Sequence, residues 1–144
     1  CCRAPEPAMH LLLERPDYQY FLRGADGNAA LVNAQRLTRS FIITPEALRE
    51  QWRIVDAGAM QPADMDELLA LQPELIVLGT GASQQFPPPQ VMAHCLQHGI
   101  GLEVMTNAAA ARTYSILAGE GRRVVAGFLF PAPPEVAPGS IVGG

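Results

Sequence analysis

The sequence predicts one α/β domain, with a β meander in its first half and a parallel βαβαβ unit in its second. Three observations carry this. Turn-punctuated, alternating runs fill residues 18–55. A continuous apolar run, Leu75-Ile76-Val77-Leu78, stops at Gly79-Thr80-Gly81. Two helix-length periodic segments then alternate with apolar strands. A chain of 144 residues can bury a core without disulfides or metal. Residues 1–9, with Pro5 and Pro7, read as a flexible lead-in, residues 10–130 as the domain, and residues 131–144 as a flexible Pro/Gly-rich tail.

The elements follow in order. Residues 18–23 alternate aromatic and polar side chains, Gly24-Ala25-Asp26-Gly27-Asn28 supplies turn chemistry, and residues 29–33 resume as a strand, giving a hairpin. Residues 40–43 are a third strand, closed by Thr44-Pro45. Residues 51–55 are a fourth, with Trp52 and Ile54 on one face and Arg53 and Val55 on the other. Met65, Leu68, Leu69 and Leu71 give residues 63–71 a helical period, with Pro62 in the first turn and Pro73 past the end. Asp64, Asp66 and Glu67 suit the dipole of that first turn. Leu75–Leu78 has the pattern of a strand covered on both faces. A helix from about Pro88 to Gln97 turns Val91, Met92, Cys95 and Leu96 inward and stops at Gly99, and residues 100–105 form the next strand. Asn107 can cap an Ala-rich helix that runs to Ala118 and ends at Gly119 and Gly121. Residues 124–130 complete the sheet.

Composition excludes several functions. Every basic side chain other than histidine is Arg, so lysine Schiff-base chemistry and a Walker lysine are absent. The arginines are scattered apart from Arg122-Arg123 and make no stripe for a phosphate backbone, so no nucleic-acid partner is expected. No apolar run is long enough to span a bilayer, and no basic and apolar leader opens the chain, so a cytoplasmic protein without a transmembrane segment is expected. Cys1, Cys2 and Cys95 are odd in number and lack CxxC spacing, which fits a reducing compartment.

The glycine loop resembles a phosphate cradle but departs from a dinucleotide fingerprint. In G-x-G-x-x-G the third glycine is here Gln84, and Phe86-Pro87-Pro88-Pro89 imposes an extended path that delays the next helix. Glu103, near where a ribose-binding acid is sought, lies inside a strand. A sharp strand-to-loop exit explains the glycines, and no cofactor is implied. His94 and His98 are one helical turn apart but lack clustered further ligands, so no metal site is expected. No G-x-S-x-G occurs, Ser83 and Ser115 have no base nearby in sequence, and Cys95 reads as a small buried hydrophobe; no catalytic residue is assigned. Arg112 interrupts the small residues Ala108–Ala111. If buried, its guanidinium needs Glu103, carbonyls of the 79–85 loop, or an external ligand or partner.

Four blocks together resemble one small family in order and spacing. They are Leu75–Gly81 with Gln84-Gln85-Phe86-Pro87, then Gly99–Met105, then Arg112-Thr113-Tyr114, then Glu120-Gly121-Arg122-Arg123-Val124. It is the bacterial and archaeal domain family that includes the mitochondrial NADH:ubiquinone oxidoreductase (complex I) assembly factor 3, and the likeness covers roughly residues 15–130. It implies a three-layer (β+α)/β/α domain with a central mixed, mainly parallel sheet. It brings no catalytic residues, and its eukaryotic member acts by protein contact. The family's Asp-Thr/Ser opening and Ala-Cys-Arg-Thr core stand here as Thr106-Asn107 and Ala110-Ala111-Arg112-Thr113, so thiol chemistry at Ala111 is excluded.

These readings converge on one binding face: Gly79, Thr80, Gly81, Gln84, Gln85 and Phe86 from the loop, with Asn107, Arg112, Thr113 and Tyr114 from the following helix. The expected role is non-enzymatic protein interaction, assembly-factor-like, with respiratory-complex assembly implied by the resemblance alone. The alternative is an anionic small molecule held by Gly79–Gly81 and Arg112, in a binding protein or an enzyme.

Overall fold

The last strand of the domain lies in the middle of its sheet. The computed structural model describes residues 18–131; the lead-in, Cys1, Cys2, His10 and nearly all of the expected tail lie outside the described residues. β4 (Phe41–Ile43), β5 (Leu48–Arg49), β6 (Leu75–Gly79), β7 (Gly101–Met105) and β8 (Val124–Phe128) form a sheet of order β5-β4-β8-β6-β7. β8 pairs in parallel with β6 and antiparallel with β4, so β4 alone runs against the other four strands. The sheet is thus mixed and mainly parallel. β8 ends at Phe128 and is central, whereas residues 124–130 read only as a closing strand.

The first half is not one meander. β1 (Leu22–Ala25), β2 (Ala30–Val32) and β3 (Gln35–Leu37) make a separate antiparallel sheet, while β4 and β5 join the central one. The predicted hairpin is present, its turn set by the Asp26 carboxylate accepting from the amides of Asn28 (2.8 Å) and Ala29 (2.9 Å). β1 begins at Leu22 rather than Tyr18, because the amides of Gln19 and Tyr20 are spent on the Pro45 carbonyl. β3 was not anticipated: it is short, two of its three residues are exposed and polar, and Asn33 enters it in the left-handed region at φ 54°. Residues 51–55 form no strand. The Trp52 amide still donates to Ser40 (3.0 Å), but the run then overhangs the end of β4. Its alternation survives, with Trp52 and Ile54 buried and Arg53 and Val55 exposed.

The first helix is shorter than its periodicity suggests, and the other two run over the expected residues to within one position. Residues 63–71 split into a 3-10 turn, Pro62–Met65, and α1 (Asp66–Leu69). α2 (Pro89–Gln97) buries Val91 and Cys95 as expected, but Leu96 is 66% exposed and Met92 only half-buried. Leu96 follows Cys95 by about 100° around the helix, enough to carry it off the apolar stripe. α3 spans Asn107–Gly119.

Three layers result. On one face, Phe41, Ile43, Val77 and Phe128 pack against Ala110 and Tyr114 of α3 and against Leu22 and Val32 of the small sheet. On the other, Ile42, Ile76, Leu78 and Val125 meet Met65, Leu68, Val91 and Cys95. Leu75–Leu78 is therefore covered on both sides, as its uniform apolarity requires. Trp52 closes the second face by lying on β8: a Cβ added at Gly127 would come within 2.6 Å of its ring. A glycine there lets the indole reach the sheet. Replacing Trp52 by Ala should cost about 3–5 kcal/mol, read as a lower midpoint in urea unfolding followed by far-ultraviolet circular dichroism.

Candidate functional site

β6 delivers its loop through two glycines with different reasons to be glycine. A Cβ at Gly79 would overlap Asn107 Oδ1 and lie 3.0 Å from the Phe128 ring and 3.2 Å from the Ala110 methyl. Gly81 has φ 106°, a conformation open to glycine but strained for other residues. Between them, Thr80 is buried and organises the loop. Its amide donates to Met105 (3.0 Å), its hydroxyl donates to the Ser83 carbonyl (2.8 Å), and the same oxygen accepts from the Gln85 amide (3.0 Å). Gln84 Nε2 donates to the Val104 carbonyl (2.8 Å), fastening the loop to β7. Phe86 follows, 60% exposed, and Pro87 after it is buried.

Asn107 is the polar centre of this region and is fully buried. Its Oδ1 accepts from the Gly81 amide (3.1 Å) while its own amide donates to the Gly81 carbonyl (2.9 Å). Its Nδ2 donates to the carbonyls of Asp26 (2.9 Å) and Leu129 (3.0 Å). The helix cap expected of Asn107 belongs to Thr106, whose hydroxyl accepts from the Ala109 amide at 3.3 Å; Asn107 is the first residue inside the helix. Both residue types cap well, so the sequence pattern was one residue ambiguous.

The expected site residues separate into groups. Hydrogen bonds bring Gly79–Gly81, Gln84, Gln85 and Asn107 into one braced unit with Phe86 at its edge. Thr113 faces β7, its hydroxyl 3.4 Å from Met105 Sδ. Tyr114 is buried and points away to the hairpin, donating to the Tyr20 carbonyl (2.7 Å). Burial first, and Tyr18 second, push its phenol far above the usual range, so it remains protonated. Arg112 is exposed on the outer side of α3, and among the described residues no ion pair or hydrogen bond reaches it. The anticipated pair with Glu103 is absent, because Arg112 lies about 100° round the helix from the β7-facing Thr113.

The other candidates have structural partners. His94 Nε2 is 2.7 Å from Asp66 Oδ1, and His98 Nδ1 is 2.9 Å from the His94 carbonyl. Among the described residues no cluster of three metal-ligating groups occurs. Burial, and then the Asp66 carboxylate, raise the Cys95 thiol above its ordinary value, which disfavours a thiolate. Arg122 Nε pairs with Glu74 (3.1 Å), and the Arg123 amide also donates to that carboxylate (3.2 Å). One feature had no clear signal in the sequence: the Asp26–Gly27 turn abuts the loop. A Cβ at Gly27 would lie 2.7 Å from the Ala82 side chain.

Together these features define a three-layer α/β domain whose strand-end loop is braced from inside. The chain belongs to the family described as protein of unknown function (DUF498/DUF598), which matches residues 23–129. The resemblance read from the sequence blocks is therefore correct. A Xanthomonas campestris protein solved by NMR is 56% identical, with TM-score 0.73 over 85% of this chain and 92% of that one. The 13 kDa major membrane protein of Francisella tularensis is 32% identical over 79 residues, 55% of this chain and 64% of that protein, so the chain matches less than two thirds of its length. Assembly factor 3 of the NADH dehydrogenase (ubiquinone) 1 alpha subcomplex from Xenopus tropicalis is 26% identical over 132 residues, 88% of this chain and 68% of that protein. Among the described residues no helix is long and apolar enough to cross a membrane.

Replacing Asn107 by Ala strands the Gly81 amide and two carbonyls, and should cost roughly 3 kcal/mol in urea unfolding. A pH effect is also expected. The amides of Asn28 and Ala29, with a smaller contribution from Arg36, hold the Asp26 carboxyl below its usual range. A depressed carboxyl stabilises the fold above its unfolded value and loses that contribution as pH falls through the folded one. Melting temperature should thus drop below about pH 4, and drop less steeply in Asp26→Asn.

Proposed function

We propose that this chain acts by protein contact rather than catalysis, as an assembly-factor-like module, with the loop at the carboxyl ends of β6 and β7 as its docking face. The observation that carries the reading is Phe86. It is 60% exposed, yet sits between Gln85, whose amide is tied to Thr80, and the buried Pro87. A large aromatic held in place loses little entropy on binding, and such residues dominate interface energies. Ser83, Gln84 and Gln85 supply a polar rim, while Arg112 and Thr113 are peripheral contacts on α3. Gly79, Thr80, Gly81 and Asn107 shape the face from below, while Tyr114 anchors α3 to the hairpin.

Likeness to the Xenopus assembly factor supports a protein partner, and a respiratory-complex subunit met in the cytoplasm is the partner class in this proposal. The anionic-ligand alternative draws little support from the loop amides: those of Thr80, Gly81 and Gln85 already serve Met105, Asn107 and Thr80.

A photo-crosslinking residue placed at position 86 should capture one discrete protein in the native cell, and the same residue at exposed Val55 should not. With that partner purified, Phe86→Ala should weaken binding by about 2 kcal/mol at unchanged melting temperature. No adduct at position 86, or equal adducts at both positions, would overturn the proposal.

A further inference from the structure

The small sheet carries a cleft on its outer side that the docking face does not use. Its volume is about 290 Å³, and Arg23, Gly24, Asp26, Leu31 and Arg36 are among its lining residues. The register explains it. Gly24 pairs with Leu31 and Leu31 with Arg36, setting these three side by side on the outer face, while Leu22, Val32 and Leu37 are buried toward the core. Leu31 is an exposed apolar floor. Gly24 contributes no side chain, and among the described residues, its two chain neighbours aside, no atom lies within 4 Å of where its Cβ would be. A trough is left along the sheet.

Its rim is cationic. A β-bulge between Leu22 and Gly24 takes Arg23 out of the ladder, and its Nη1 donates to the Asn33 carbonyl at 3.3 Å. Arg36 comes from β3. Among the described residues neither guanidinium forms an ion pair. The one carboxylate in the lining, Asp26, is committed to the turn amides of Asn28 and Ala29. The three charges sum to a single positive one beside an apolar floor. The wall is also fixed in place, since the Asp26 carbonyl accepts from Asn107 and Gly27 abuts Ala82.

We infer that this cleft binds a small organic monoanion with an apolar body. The carboxylate is drawn to the Arg23 and Arg36 rim, and the hydrocarbon lies on Leu31 in the space that Gly24 leaves open. The volume lies near the lower limit for small-molecule sites, which selects a compact ligand. Guanidinium groups suit a planar carboxylate, and burying the body supplies affinity that the ion pair alone lacks at an exposed rim.

The test is an amide NMR titration of the full chain with phenylacetate, with acetate (charge without body) and benzyl alcohol (body without charge) as controls. Phenylacetate should shift the amides of residues 23–31 and Arg36 at millimolar concentration, with each control binding at least tenfold more weakly. Gly24→Val fills the trough where there is room for a side chain, in a strand that favours valine, so it should fold and lose binding. Arg36→Gln should weaken binding about tenfold. The inference is overturned if phenylacetate leaves these amides unmoved, if acetate matches it, or if a folded Gly24→Val binds like the wild type.

Discussion

The carboxamide of Asn107 joins backbone segments 22, 26 and 81 residues away in sequence, and the carboxyl end of the sheet takes its shape from the need to satisfy that one buried group. In a low-dielectric interior such bonds are strong when complete and costly when broken. They therefore fix one arrangement of the glycine loop, the Asp26 turn and the exit from β8. Further constraints follow. Gly79 has no Cβ because Asn107 Oδ1 occupies that space, and Ala110 is small because α3 must come close enough for the amide to reach. The small side chain at position 110 is in this sense set by a polar group.

What the sequence revealed and what it hid divide along physical lines. β6, α2, β7 and α3 were legible because each joins an apolar run or a clear period to a glycine or proline at one of its ends. The position of β8 was not, since Val124–Phe128 is apolar throughout and such a run fits any strand covered on both faces. The outward-inward alternation of Trp52 to Val55 was read correctly, but alternation reports which side chains are buried, not whether a neighbouring strand is there to pair with. Whether Arg112 is buried was not legible, because a run of alanines fits either environment; the helix wheel turns that position outward. The Asn107 clamp was hidden because its partners Asp26 and Leu129 contribute only backbone carbonyls, which carry no signature in sequence.

The blocks that carry the family likeness turn out to be largely the parts that hold the fold. Gly79, Thr80, Gly81 and Tyr114 are buried, and their polar atoms are spent on the chain itself. Recognising the family thus locates the scaffold, while in the proposed docking role contact with a partner falls to neighbours such as Phe86 that the scaffold presents. This is a common division of labour: loops carry function on elements that do not move. The hairpin cleft and the strand-end loop share one support, since Asn107 bonds both Asp26 of the cleft lining and Gly81 of the loop.

The central place of β8 bears on how the domain comes to exist in a cell. A nascent chain emerging from the ribosome exposes β4 and β6 well before Val124–Phe128 is made, and the strand that lies between them arrives last among the described elements. Until then, β4 and β6 each present an open edge and an apolar face, the two features that invite wrong pairing. The sheet therefore cannot close until β8 has emerged, and the interval before that is the period in which a holding chaperone has something to bind.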